Sequence, residues 1–207
     1  IMARGETYII AHPMAPGHPW CSGCQWQYGE MFPGPARLVE VWNSDWAVEA
    51  PKNELGMRLF CEWLNAGYRM RATAASDIHG PFPEDARLGH VRVWAEALTP
   101  EAILHGLRAG KALLTSGPVL TITARAGDRE AGMGDVLGAD KASIHIAWSE
   151  VPEAATLTLT SGQRDSTGTE ARVSRPVEGD GEVEIEMTDL PDGAWCLAEL
   201  RSADGRM

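Results

Sequence analysis

At Ser116-Gly117-Pro118 the hydrophobic pattern of this chain changes its period, and that change limits the folds open to it. Before it, apolar runs with strand character alternate with stretches of helical spacing. Residues 6–11, 37–43, 68–75, 91–95 and 112–115 read as strands. A helix is expected over about 53–66, with Leu55, Leu59, Trp63 and Leu64 on one face and Gly67 as its stop. A second opens at Thr99-Pro100-Glu101 as N-cap, first-turn proline and early acid, buries Ile103, Leu104 and Leu107, and closes at Gly110. Such alternation predicts a parallel α/β arrangement. After Pro118 the runs 119–123, 143–148, 156–160 and 182–187 alternate with period two, separated by turn signals at Ser161-Gly162, Asp180-Gly181 and Asp192-Gly193, and 194–200 reads as a further strand. That is the pattern of an antiparallel sandwich with acids on its wet face. The expected division is therefore an α/β unit over 1–117 and an all-β sandwich over 118–207.

Charge follows the same division. The 207 residues carry a formal net charge of −11. Residues 1–116 hold 10 Lys and Arg against 12 Asp and Glu, net −2, while 117–207 hold 8 against 17, net −9. An acidic balance argues against a nucleic-acid partner, whose phosphates would be repelled. No apolar run is long enough to predict a membrane span. The chain begins at Ile1, and Met207 stops where a partner for the 194–200 strand is expected, so a piece of a longer polypeptide is anticipated.

Ligand-type residues gather where the strands of the first half end. Asp77 and His79 in Ser76-Asp77-Ile78-His79-Gly80 stand two apart after the strand at 68–75. On extended backbone, residues i and i+2 share a face, so both can reach one metal ion. An isolated Asp-x-His also serves as a simple cap, and spacing alone leaves both readings open. His12, followed by Pro13, lies just past the strand at 6–11 as a ligand or a packed loop histidine, and Asn43 ends the strand at 37–43. The C-terminal ends of parallel strands are where α/β folds build sites. Residues 13–36 are rich in Pro and Gly and read as a lid or binding loop carrying His18 and Trp20. Cys21 and Cys24 with His18 have partial zinc-knuckle spacing, but a local disulfide or two packed thiols fits better. His90, His105 and His145 read as surface or packing residues, and the Gly132-Met133-Gly134-Asp135 run as a hairpin turn.

Taken together, Ile10-Ala11-His12-Pro13, Val39-Glu40-Val41-Trp42-Asn43, Ser76-Asp77-Ile78-His79-Gly80 and the 102–118 stretch ending in Thr115-Ser116-Gly117-Pro118 resemble the polymerase and histidinol phosphatase (PHP) metallohydrolase superfamily. The nearer likeness is to its carbaryl-hydrolase-like branch, and it spans about 6–118. The resemblance implies part of a distorted β/α barrel binding divalent metal, with His12, Asp77 and His79 as ligands. Zinc is favoured, with manganese or iron as alternatives. It implies a metal-dependent hydrolase of a small-molecule phosphoester, or of a carbamate or amide ester, with His18 and Asn43 as substrate-binding residues. Strand alternation puts Glu40 and Asn43 on opposite faces, so only one is expected to point inward. The family's opening His-x-His pair occurs nowhere in these 207 residues. The resemblance therefore implies a fragment whose activity waits on missing ligands. A non-catalytic interaction module on a degenerate scaffold is the alternative, and a homodimer in which a second copy supplies the missing strands is a third reading.

Overall fold

A computed structural model describes residues 6–15, 36–81 and 87–203. Three short parallel strands, β1 (Ile9–Ile10), β2 (Leu38–Asn43) and β3 (Arg71–Ala75), lie side by side in that order. Helix α1 (Trp46–Asn65) makes the crossover from β2 to β3. It starts earlier than expected. Asp45 caps it, Oδ1 accepting the Ala47 N–H at 2.9 Å. The helix then kinks at Glu49 (φ −106°, ψ 17°), two residues before Pro51. Proline lacks the N–H for an intrahelical bond and its ring crowds the carbonyl four residues back, so Pro51 bends the helix without ending it. The buried stripe is Asn53, Gly56, Met57 and Phe60, together with the expected Leu59 and Trp63. Leu55 and Leu64 are only half-buried. Gly56 sets the approach to the sheet, because a Cβ there would stand 3.2 Å from the Val41 carbonyl oxygen.

The parallel run stops at β3, and no closed barrel is present among the described residues. The expected fourth parallel strand is β4 (His90–Val93), which pairs antiparallel with β5 (Ala112–Thr115) in a sheet of its own. Helix α2 (Pro100–Ala109) is inserted between them with its expected caps: Thr99 Oγ1 accepts the Ala102 N–H at 3.3 Å, and Gly110 is left-handed at φ 80°. The Trp94 N–H bonds the Lys111 carbonyl at 2.9 Å and closes the hairpin around the helix. Gly106 makes this fold-back feasible, since any Cβ there would collide with the Trp94 carbonyl oxygen. Gly106 is accordingly the buried residue of α2, whereas Ile103 and Leu107 are half-buried and Leu104 is exposed.

The second half forms two antiparallel sheets. One holds β6 (Val119–Ala126), β7 (Arg129–Ala131), β8 (Ala142–Ser149) and β11 (Gly181–Met187) in the order β11-β8-β6-β7. The other holds β9 (Ala155–Gln163), β10 (Glu170–Val177) and β12 (Ala194–Ser202) in the order β10-β9-β12. Leu120, Ile144, Ile146, Trp148, Leu157, Leu159 and Leu200 form one core between them, and Glu182, Glu184 and Glu186 alternate outward. Ser161-Gly162 is not a turn. Gly162 pairs with Trp195 in the ladder and its missing side chain admits the indole ring, so β9 continues to Gln163. Strand β10 escaped the sequence reading because its residues are mostly exposed and it contains Pro176. It is an edge strand, where a missing N–H is tolerated.

Several contacts tie the halves together. Arg71 sends Nε to the Ala109 carbonyl and Nη2 to the Gly134 carbonyl, both at 3.1 Å. Gly132–Asp135 is therefore a turn, as expected, but one docked on the end of α2 and lying outside any hairpin. On another side, Arg201 of β12 pairs with Glu54 of α1 and lies 4.9 Å from the Trp46 ring centroid. The Trp195 Nε1–H donates to Asn65 Oδ1 at 2.9 Å.

Candidate functional site

Parallel pairing brings the C-terminal ends of β1, β2 and β3 to one edge, and all three strands leave it in the same unusual way. His12 (φ 26°), Ser44 (φ 65°) and Asp77 (φ 52°) each have positive φ without being glycine. Each costs on the order of 1–2 kcal/mol through Cβ–carbonyl repulsion. Backbone strain of this kind clusters at ligand clamps and active sites. The middle exit is well braced. The Ser44 N–H bonds the Ala75 carbonyl at 2.8 Å, and the Ser44 carbonyl accepts from Gly89 N–H at 3.0 Å and from Trp42 Nε1–H at 2.8 Å.

Beyond β3, Asp77 Oδ1 and His79 Nε2 meet at 3.1 Å. The pair faces solvent, with the His79 side chain 87% and the Asp77 side chain 40% exposed. His12 behaves differently. Its carbonyl accepts from the Ala15 N–H in a tight turn, and its Nδ1 is buried without a hydrogen-bond partner. Among the described residues no three His, Cys, Asp or Glu side chains are grouped closely enough to hold a metal ion. Asp77 and His79 are thus brought together, and His12 does not complete a three-donor set with them. His18, Cys21 and Cys24 lie outside the described residues. His145 meets Glu182 at 3.1 Å, His90 meets the Leu88 carbonyl at 3.3 Å, and His105 is exposed on α2, all as packing or surface residues.

Just below the edge lies a polar cluster that the sequence reading only half found. Asn43 Nδ2 donates to Glu40 Oε1 at 2.7 Å, so both side chains lie on one face. The expectation of opposite faces fails because β2 carries a bulge. Glu40 pairs with Thr73 but Trp42 pairs with Ala74, leaving Val41 as the extra residue. One inserted residue shifts the alternation by one, and i and i+3 come to the same side. Asn53 of α1 completes the arrangement: its Oδ1 accepts the Asn43 N–H at 3.0 Å and its Nδ2 donates to the Asn43 carbonyl at 3.2 Å. Glu40, Asn43, Asn53 and Thr73 are all buried, at 8%, 2%, 2% and 4% exposure. Asn53 had a sequence signal, since a polar residue interrupts the apolar spacing of a helix face. Thr73 had none.

The two described cysteines are free and not poised for chemistry. Burial, with smaller contributions from Glu199 and Glu62, pushes the Cys61 thiol from 9.0 up to about 12. Burial also raises Cys196, against the opposing pull of Arg172. At pH 8 the folded protein should alkylate at Cys61 at least about a hundredfold more slowly than the urea-unfolded chain, because the thiolate is the nucleophile. Peptide mass mapping after iodoacetamide checks this. The unfolded thiol ionises near its ordinary 9.0 and the folded one near 12, so the unfolded chain binds fewer protons in that window. The contribution of Cys61 to stability is therefore intact below pH 9 and falls as pH rises toward 12.

No helix among the described residues is long and apolar enough to cross a membrane. Compared with protein-family models, with curated proteins and with solved structures, the chain matches none.

Proposed function

We propose that this chain carries part of a metal-dependent hydrolase of the PHP type, with β1, β2 and β3 as a portion of a distorted β/α barrel. The observation that supports this reading is the convergence of His12, Asn43, Asp77 and His79 on one edge through three strained strand exits. His12, Asp77 and His79 are the proposed ligands of a divalent ion, zinc before manganese or iron. Their fit is partial. Nitrogen and carboxylate donors of the right kind are present, and Asp77 and His79 already meet, but the third donor stands apart from them. Bound there, the ion would supply an activated water and a positive centre for an ester or phosphoester substrate. Asn43 acts from below as a buried side chain bracing the edge, and its amide oxygen is shielded from solvent.

Metal content tests the proposal. The 207-residue protein, dialysed against zinc or manganese and washed, should retain about one equivalent or more by elemental analysis, and Asp77→Ala should lose it. Metal-free protein unaffected by that substitution would favour a non-catalytic interaction module. One observation supports that second reading. Leu98 is 97% exposed and lines an apolar groove of about 360 Å³ together with Val91, Val93 and Ile103.

A further inference from the structure

The Glu40 cluster raises a question of charge that is independent of the proposed hydrolase. The Glu40 side chain is about nine-tenths buried, and among the described residues no Lys, Arg or His pairs with it. Among the described residues its hydrogen-bond donor is the neutral Asn43 amide. Burying a carboxylate without a counter-charge costs several kcal/mol. Two further oxygens beside it are buried and unpartnered, Asn43 Oδ1 and Thr73 Oγ1. The Asn43 amide orientation follows from its neighbour, since turning it over would set a carbonyl oxygen against the carboxylate. Thr73 is the register partner of Glu40 on the adjacent strand, and residues so paired project to the same face about 4.8 Å apart.

All three groups are hard oxygen donors that lack something positive. We infer that Glu40, Asn43 and Thr73 form a structural site for one monovalent cation, sodium or potassium, beneath the exits of β2 and β3. A single positive charge cancels the single carboxylate. A divalent ion would leave an uncompensated charge in a buried site with little room for its water shell. Amide, hydroxyl and carboxylate oxygens replace the hydration of an alkali ion, whereas zinc prefers the nitrogen and sulfur donors absent here. Glu40 keeps 8% exposure, which leaves a path of entry. The ion would join β2 to β3 just below Ser44 and Asp77, and so hold the strained exits in place.

Thermal melts in potassium, sodium and tetramethylammonium chloride at equal ionic strength test this, because the bulky organic cation cannot enter. Wild type should melt several degrees higher in the potassium or sodium salt. The difference should vanish in Glu40→Gln, shrink in Thr73→Val and persist in Asp77→Ala, which separates this site from the proposed metal centre. If Glu40→Gln fails to fold, Thr73→Val decides. With no cation to lose, trading an unpartnered hydroxyl for a methyl should raise the melting point equally in all three salts, and that result overturns the proposal. Identical wild-type melts in the three salts would mean that the cluster holds water only, also overturning it. A Glu40-dependent stabilisation by magnesium or calcium that exceeds potassium would likewise do so.

Discussion

Asn53→Ala should destabilise the protein by about 2–5 kcal/mol, seen as a lower urea midpoint with an unchanged slope. The side chain is 2% exposed and satisfies both backbone groups of Asn43. Where β2 ends, those groups have no ladder partner of their own, and Asn53 substitutes for the missing strand. Removing it leaves a buried donor and a buried acceptor unpaired, each costing about 1–3 kcal/mol. Any metal retained at Asp77 should weaken as well, because Asn43 precedes Ser44, and Ser44 bonds the Ala75 carbonyl two residues before Asp77. Asn53→Asp separates packing from hydrogen bonding. It keeps the shape and the acceptor but sets a carboxylate oxygen against the Asn43 carbonyl, so it should lose most of the same stability.

Gly134→Ala should cost about 3 kcal/mol or more, also read by urea unfolding. Two independent effects add. The residue sits at φ 79°, where a Cβ costs on the order of 1–2 kcal/mol. The new methyl would also fall on the Ala109 carbonyl oxygen and the Gly110 backbone, neither of which belongs to a flexible side chain. Relief requires the Gly132–Asp135 turn to lift from α2, and the Arg71 guanidinium then loses the Gly134 carbonyl. Gly127→Ala provides the control. It has a similar φ of 62° with open space around it, so it should show the backbone cost alone.

The sequence reading succeeded where one local signal decides the outcome. Thr99, Pro100 and Gly110 delimit α2, and strict period two marks β8 and β11. It failed where a distant partner decides. Gly162 reads as a turn until Trp195 is seen to occupy the space above it. Strand β4 reads as parallel until the Trp94–Lys111 bond closes its hairpin. The Val41 bulge reversed the facing of Glu40 and Asn43, and no residue in β2 announces it; Gly56, half a helix away, is its counterpart. For the site, residue types and strand ends were legible and gathered His12, Asn43, Asp77 and His79 at one edge. The closeness of their side chains was not, because it depends on loop dihedrals that a lone spacing rule does not fix.

The contact between Arg201 and the Trp46–Glu54 stretch joins residues up to 155 positions apart, about three-quarters of the chain. As the protein emerges from the ribosome, α1 is made well before β12, which brings both its cation and the indole of Trp195. The helix must therefore wait through the synthesis of the intervening residues with Trp46 and Asn65 lacking their final neighbours. Completion of β12, rather than of the first core, is the event that locks α1 into place.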